Sequence, residues 1–180
     1  NAAVDPGAVP APVSGAAAHP FRDAWFSAPT QRGLFHGFDG RCDALDAGTF
    51  ARLRAVYLGL LAEADAHLGR ILDWLDERGL AERTLVVVTA DHGEMLGDQG
   101  MWGKESVFAP AHRVPLVIRD PRRPGGAVCD AVTEHVDLAP TILARLGGAV
   151  PPAMDGAPLD AQPDALPYAP ADGGRPRPAT

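Results

Sequence analysis

Between Thr89 and Lys104 the chain reads TADHGEMLGDQGMWGK, which sets an aspartate beside a histidine, adds four glycines and ends on a lysine. Asp91 and His92 offer an oxygen and a nitrogen donor side by side, a mixed pair suited to a divalent cation such as Mn²⁺, Zn²⁺ or Ca²⁺. Two ligands make a weak site, so further donors have to come from elsewhere in the fold. Lys104 is the only lysine in a chain whose Lys and Arg together number 16. Its ammonium is a compact point charge with rotatable donors, suited to the oxygens of a tetrahedral anion beside a metal. The spacing does not match an EF-hand loop, and Gly93, Gly97 and Gly100 form neither a dinucleotide fingerprint nor a P-loop. At this level two competing readings stay open. Asp91-His92 can be a turn closed by its own side-chain-to-backbone hydrogen bonds, and Lys104 can be a solvated surface cation.

Such a loop has to be placed by the elements around it. Thr84 to Thr89, TLVVVT, is a short run rich in β-branched residues that predicts a strand buried on both faces. Asp91 and His92 follow its carboxyl end, where ligands gather in open α/β sheets. Neighbouring residues on a strand point to opposite faces, so a shared ligand needs a turn, which Gly93 permits. Upstream, Leu53, Val56, Tyr57, Leu60, Leu61, Ala64, Leu68, Ile71, Leu72 and Leu75 recur at three- and four-residue steps. That period predicts one apolar helix face from about Thr49 to Arg78, capped by Asp46 or Thr49 and ended by Gly79 in a left-handed conformation. Val114 to Arg119, VPLVIR, predicts a second strand. A further helix is expected from about Val136 to Leu146, with Asp137 and Pro140 at its start and Gly147-Gly148 at its end. Helix, strand, long loop, strand, helix is the order of an α/β layer structure.

The 180 residues and 46% hydrophobic content suit one domain with a real core. Residues 1–20 read as an extended Pro/Ala-rich segment, residues 21–150 as the compact part, and residues 151–180 as a poorly ordered Pro/Gly-rich tail. Both ends carry too little bulky apolar surface to offset their ordering entropy. A net charge of -7 and a pI near 5.2 offer no basic surface to a nucleic acid backbone. Cys42 and Cys129 have no framework or C-x-x-C spacing, which favours a reducing compartment. No stretch of eighteen apolar residues predicts a membrane span. The chain starts at Asn1 without a methionine or a signal-peptide pattern, and is expected to be a piece of something longer.

Together these motifs resemble the sulfatase and phosphonate monoester hydrolase group of the alkaline phosphatase superfamily. The resemblance rests on the strand with T-A-D-H-G-E-M-L-G-D and W-G-K, on Y-L-G-L-L-A-E-A-D-A-H-L-G-R-I-L upstream, and on R-V-P-L-V-I-R-D-P, V-D-L-A-P-T-I-L and M-D-G-A-P-L downstream. D-P-G-A-V-P-A-P-V and H-P-F-R-D-A-W-F near the start are similar to the phosphonate monoester hydrolase branch. It covers roughly residues 5–160 in order. It implies part of a three-layer α/β/α fold with a central mixed, mostly parallel sheet flanked by helices, residues 21–150 being the C-terminal part of the catalytic domain.

The resemblance also implies chemistry. Asp91 and His92 match the pair that binds one active-site divalent metal, Ca²⁺ or Mn²⁺. Lys104 matches the lysine that contacts the sulfuryl or phosphoryl group. The nucleophile of such enzymes is a hydrated formylglycine, made from a cysteine or serine in a C/S-x-P/A-x-R motif. Neither Cys42 nor Cys129 stands in that motif, so the nucleophile and the leaving-group histidine are expected upstream. His19, His36, His67, His112 and His135 match no catalytic position and are read as surface or capping residues. Gln99 replaces the histidine that often follows L-G-D in the phosphonate hydrolases, a change expected to bear on substrate preference. The implied substrate is a small-molecule sulfate, phosphonate or phosphate ester, acted on by a complete protein that can be a homo-oligomer, and the bacterial cytoplasm is expected in preference to the periplasm. The chain alone is expected to be inactive. The alternatives are a phosphodiesterase or phosphatase of the same superfamily, or a non-catalytic domain of this fold.

Overall fold

The computed structural model describes residues 4–13, 19–27, 45–123 and 125–159. Cys42, His36 and residues 160–180 of the expected tail lie outside them. The described residues fall into two compact units. One is built from the residues up to Arg83 with Val87–Ile118, the other from Thr84–Val86 and the residues from Arg119 onward.

In the first unit, helix α1 runs Pro20–Ser27 and helix α2 runs Ala47–Glu77. Of the two expected caps for α2, Asp46 is the one used. Its carboxylate accepts the Thr49 amide at 2.9 Å and the Thr49 hydroxyl at 2.7 Å, and these bonds hold its pKa below the ordinary value. Gly79 ends the helix at φ +64, with its own amide on the Asp76 carbonyl and the Leu80 amide on the Leu75 carbonyl. That is the double bond pattern of a left-handed glycine stop. The apolar face of α2 is covered only in part. Ala55 and Leu75 are buried, while Val56, Leu60, Leu61, Ile71 and Trp74 stand 48–63% exposed. The helix is 31 residues long, and the described elements packed against it include the short turns Pro6–Ala8 and Ala81–Arg83.

Strand β1, Val86–Thr89, begins two residues later than expected and pairs with β2, Leu116–Arg119, in a two-stranded sheet. Its residues are half-buried or exposed rather than buried on both faces, because burial of both faces needs layers on each side of a wider sheet. Between the strands lies the short helix α3, Ala109–His112, which the apolar pattern had not revealed. The core of this unit joins Phe26 of α1 to Met95, Met101 and Ala111, fringed by Phe21, Trp25 and Phe108.

In the second unit, a 3-10 turn at His135–Asp137 leads into helix α4, Leu138–Arg145. Glu134 and Asp137 form a reciprocal capping box. Asp137 also accepts the Ala157 amide at 3.0 Å, and the buried Thr141 hydroxyl accepts the Leu159 amide at 2.9 Å. Residues 151–159 of the expected tail are thus tied to α4, and Leu159 is buried. Gly147 sits at φ +78 beyond the helix, with the Gly148 amide on the Leu143 carbonyl. After β2, buried Asp120 takes Nε and a terminal nitrogen of Arg122 at 2.9 and 3.0 Å and faces buried Arg145 at 3.5 Å. Arg122 also donates to the Arg145 carbonyl at 2.5 Å, closing the C-terminal end of α4.

Candidate active site

β1 ends at Thr89, and the chain bends at Asp91. The Gly93 amide donates to the Ala111 carbonyl at 2.9 Å, which seats the bend on α3. Glycine is required there by close approach: a Cβ at Gly93 would strike the Pro110 carbonyl. The turn expected at Gly93 is therefore a docking point for α3.

His92 is oriented by its neighbour. Its Nδ1 lies 2.8 Å from the Gly93 carbonyl, and a carbonyl can only accept, so Nδ1 carries the hydrogen. In the neutral ring the lone pair then resides on Nε2. Nε2 lies 3.6 Å from Oδ2 of Asp91, whose side chain is 87% exposed. The other carboxylate oxygen, Oδ1, accepts the His92 amide at 3.0 Å. The turn-type bonds of the competing reading are thus present, and they leave Oδ2 of Asp91 and Nε2 of His92 3.6 Å apart. Asp91 and His92 would be the residues to hold a cation, and a ligating histidine held by a backbone carbonyl is the usual arrangement. The donor set therefore fits a divalent cation. Among the described residues no third carboxylate, imidazole or thiol joins the pair.

Lys104 is exposed at the far end of the same loop, and among the described residues no hydrogen bond or ion pair engages its ammonium. Its position follows from a loop that has its own core. Met95 and Met101 are fully buried, although a connection of this kind ordinarily lies on the surface with its side chains in water. The Glu94 carboxylate accepts the Gly103 amide at 2.6 Å and the Leu96 amide at 3.3 Å. The Met95 amide donates to the Gly103 carbonyl at 3.0 Å.

Two non-glycine residues of the loop adopt positive φ, Leu96 at 48° and Gln99 at 58°. Such residues persist where the surroundings hold them. Arg54 of α2 donates to the Leu96 carbonyl at 2.7 Å and to Asp98 at 3.3 Å. Val13 takes the Gln99 amide at 2.9 Å and gives its own amide to Asp98 at 2.9 Å, while Arg22 donates to the Gln99 carbonyl at 3.1 Å. Trp102 is buried and stacks on Phe50 of α2 with centroids 5.6 Å apart. The substrate effect expected at Gln99 thus falls on a residue whose backbone binds the N-terminal segment to the loop.

Four other histidines lie among the described residues. His67 is exposed on α2 beside Glu63 at 3.8 Å, His112 donates from Nε2 to the Ser106 carbonyl, His19 accepts the Phe21 amide, and His135 is exposed at a 3-10 turn. Cys129 is half-buried. Sequence reasoning missed Glu94, Arg54 and Val13. Only Arg54 carried a local signal, its place one turn beyond Phe50 on the same helix face.

The sulfatase family model matches residues 16–149. The chain belongs to the sulfatase family. Among sulfatase-family relatives it is 41% identical over 147 residues to the multifunctional alkaline phosphatase superfamily protein PehA of Trinickia caryophylli, covering 81% of this chain and 29% of that protein. It is 33% identical over 140 residues to the N-acetylglucosamine-6-O-sulfatase of Bacteroides thetaiotaomicron, covering 77% of this chain and 25% of that one. Its structure is similar to the phosphonate monoester hydrolase SpPMH of Silicibacter pomeroyi, with a TM-score of 0.76 and 42% identity over 93% of this chain and 34% of that chain. The fold is therefore alkaline-phosphatase-like α/β, in part, and this sulfatase-family chain spans only 25–34% of the length of these three proteins.

Proposed function

We propose that this chain supplies one side of the active site of a sulfuric ester or phosphonate monoester hydrolase: a divalent-cation pair, Asp91 and His92, and an anion-binding lysine, Lys104. The observation that carries the reading is the orientation of His92, whose Nδ1 bond to Gly93 leaves Nε2 beside Oδ2 of Asp91 at 3.6 Å. When bound, a cation such as Ca²⁺ or Mn²⁺ supplies Lewis-acid stabilisation of charge on the ester oxygens.

The chain's own residues have distinct roles. Asp91 and His92 hold the cation at the carboxyl end of β1. Lys104 places a positive charge against the peripheral oxygens of a sulfuryl or phosphoryl group, where negative charge has to be balanced during transfer. The nucleophile, a formylglycine in this reading, belongs to a part of the hydrolase outside this chain, since none of its cysteines or serines stands in a C/S-x-P/A-x-R context. The substrate is a small-molecule ester, a class supported by the sulfatase and phosphonate hydrolase names of the relatives.

The test uses the complete hydrolase containing this chain, assayed on an aryl sulfate and an aryl phosphonate monoester. Asp91→Ala should abolish both bound metal and turnover. Lys104→Ala should keep the metal and lower kcat/KM by about 10²–10³-fold. Hydrolysis at the unmodified rate by the Asp91→Ala protein would end this assignment.

A further inference from the structure

The cation pair and the lysine are separated by twelve positions of chain, yet a single side chain spans the gap. Glu94 stands two residues after His92, and its Oε1 accepts the Gly103 amide at 2.6 Å and the Leu96 amide at 3.3 Å. The first of these is shorter than the usual ~2.7–2.9 Å of a charge-assisted N–H to carboxylate bond. Gly103 immediately precedes Lys104 and sits at φ +78, a conformation that favours glycine. Its carbonyl is held at 3.0 Å by the amide of Met95, the residue after Glu94. Gly103 is thus held at its N–H by the Glu94 carboxylate and at its C=O by the Met95 amide, and that C=O belongs to the peptide leading into Lys104. On the other side of Glu94, Gly93 is fastened to Ala111 at 2.9 Å.

We infer that Glu94 is a positioning residue that sets the place of Lys104 relative to Asp91 and His92, and that it serves the reaction through Lys104. The inference rests on the reading of those three residues as cation ligands and anion-binding lysine. Glu94 is not itself assigned to the cation, because among the described residues it forms no metal-holding group with Asp91 and His92. A misplacement of about 1 Å at a charge-stabilising group can cost on the order of 10²-fold in rate, so a rigid spacer between the two halves of the site has catalytic value. Glutamate suits such a spacer, since its carboxylate oxygen reaches across the loop and takes two amides at once, leaving neither orphaned.

The experiment is a double-mutant cycle in the complete, metal-loaded hydrolase, with aryl sulfate and aryl phosphonate monoester as probes and bound metal measured for every variant. Glu94→Ala should lower kcat by about 10–100-fold with metal content retained. Glu94→Gln, which keeps an oxygen acceptor, should recover most of that loss. In a Lys104→Ala background, Glu94→Ala should cost no more than about 2-fold, since the group it positions is gone. Equal losses in both backgrounds, or a Glu94→Ala protein at the unmodified rate, overturn the inference. If Glu94→Ala does not fold, Glu94→Asp decides. It keeps the charge, draws the carboxylate back by one methylene, and should show the same dependence on Lys104. A Lys104→Ala protein at the unmodified rate sinks the site reading itself. An impaired Lys104→Ala with additive Glu94 effects sinks only the role given to Glu94.

Discussion

Phe50, near the start of α2, stacks on Trp102 with ring centroids 5.6 Å apart and planes 21° from parallel, two residues before Lys104. The indole is buried, but among the described residues its Nε1–H has no hydrogen-bond partner. Burial of the ring is therefore what stabilises the loop at this point. Trp102→Ala should destabilise the fold by about 3–5 kcal/mol through the cavity it leaves. Trp102→Phe keeps the stacking face and removes a buried, unpaired donor, and should cost about 1 kcal/mol or less. Urea midpoints of the two variants separate these outcomes, and equal losses would show that the indole nitrogen is bonded after all.

Gly93 provides a second test, because the bend that carries Asp91 and His92 is pressed against the Pro110 carbonyl. Gly93→Ala forces the bend and α3 apart. It should destabilise by about 1–3 kcal/mol and weaken Mn²⁺ binding to the complete hydrolase by about 10–100-fold. Isothermal titration checks the affinity. A variant with unmodified affinity would mean that the cation pair does not depend on its seat.

Asp120 gives a pH prediction. The hydrogen bonds from Arg122 hold its carboxyl down to about 2, against burial that pushes the other way, with the Arg122 and Arg145 charges adding to the lowering. The pKa in the unfolded chain is about 3.9, so the folded state favours the ionised form. Stability from this group is fully present above the unfolded pKa and is lost as pH falls from about 4 through about 2. Asp120→Asn should lower the unfolding free energy at neutral pH, measured in urea, by about 1.5–3 kcal/mol for its hydrogen bonds to charged groups. It should also flatten the acid limb of the unfolding free energy against pH. An acid limb unchanged by the substitution would assign that titration to other carboxylates.

Much of this protein is legible from local pattern. The α2 boundaries follow from Asp46 and Gly79, the stop of α4 from Gly147, and the two strands from their β-branched runs, because caps, left-handed glycines and side-chain period act within a few residues. Asp91, His92 and Lys104 stand out as candidates for the same reason, by residue type and by placement after a strand. Other features depend on contacts that no window of sequence contains. Asp98 binds Val13 across 85 positions of chain, and Arg54 reaches the strained Leu96 across 42. Met95 and Met101 look like loop residues until α1 and α3 close over them. The apolar period of α2 announces a helix face but not how much of it is covered, and here much of it stays exposed. The tautomer of His92 comes from the direction of a single carbonyl. A side chain's identity says which bonds it can make, and the fold alone brings the partner that selects among them.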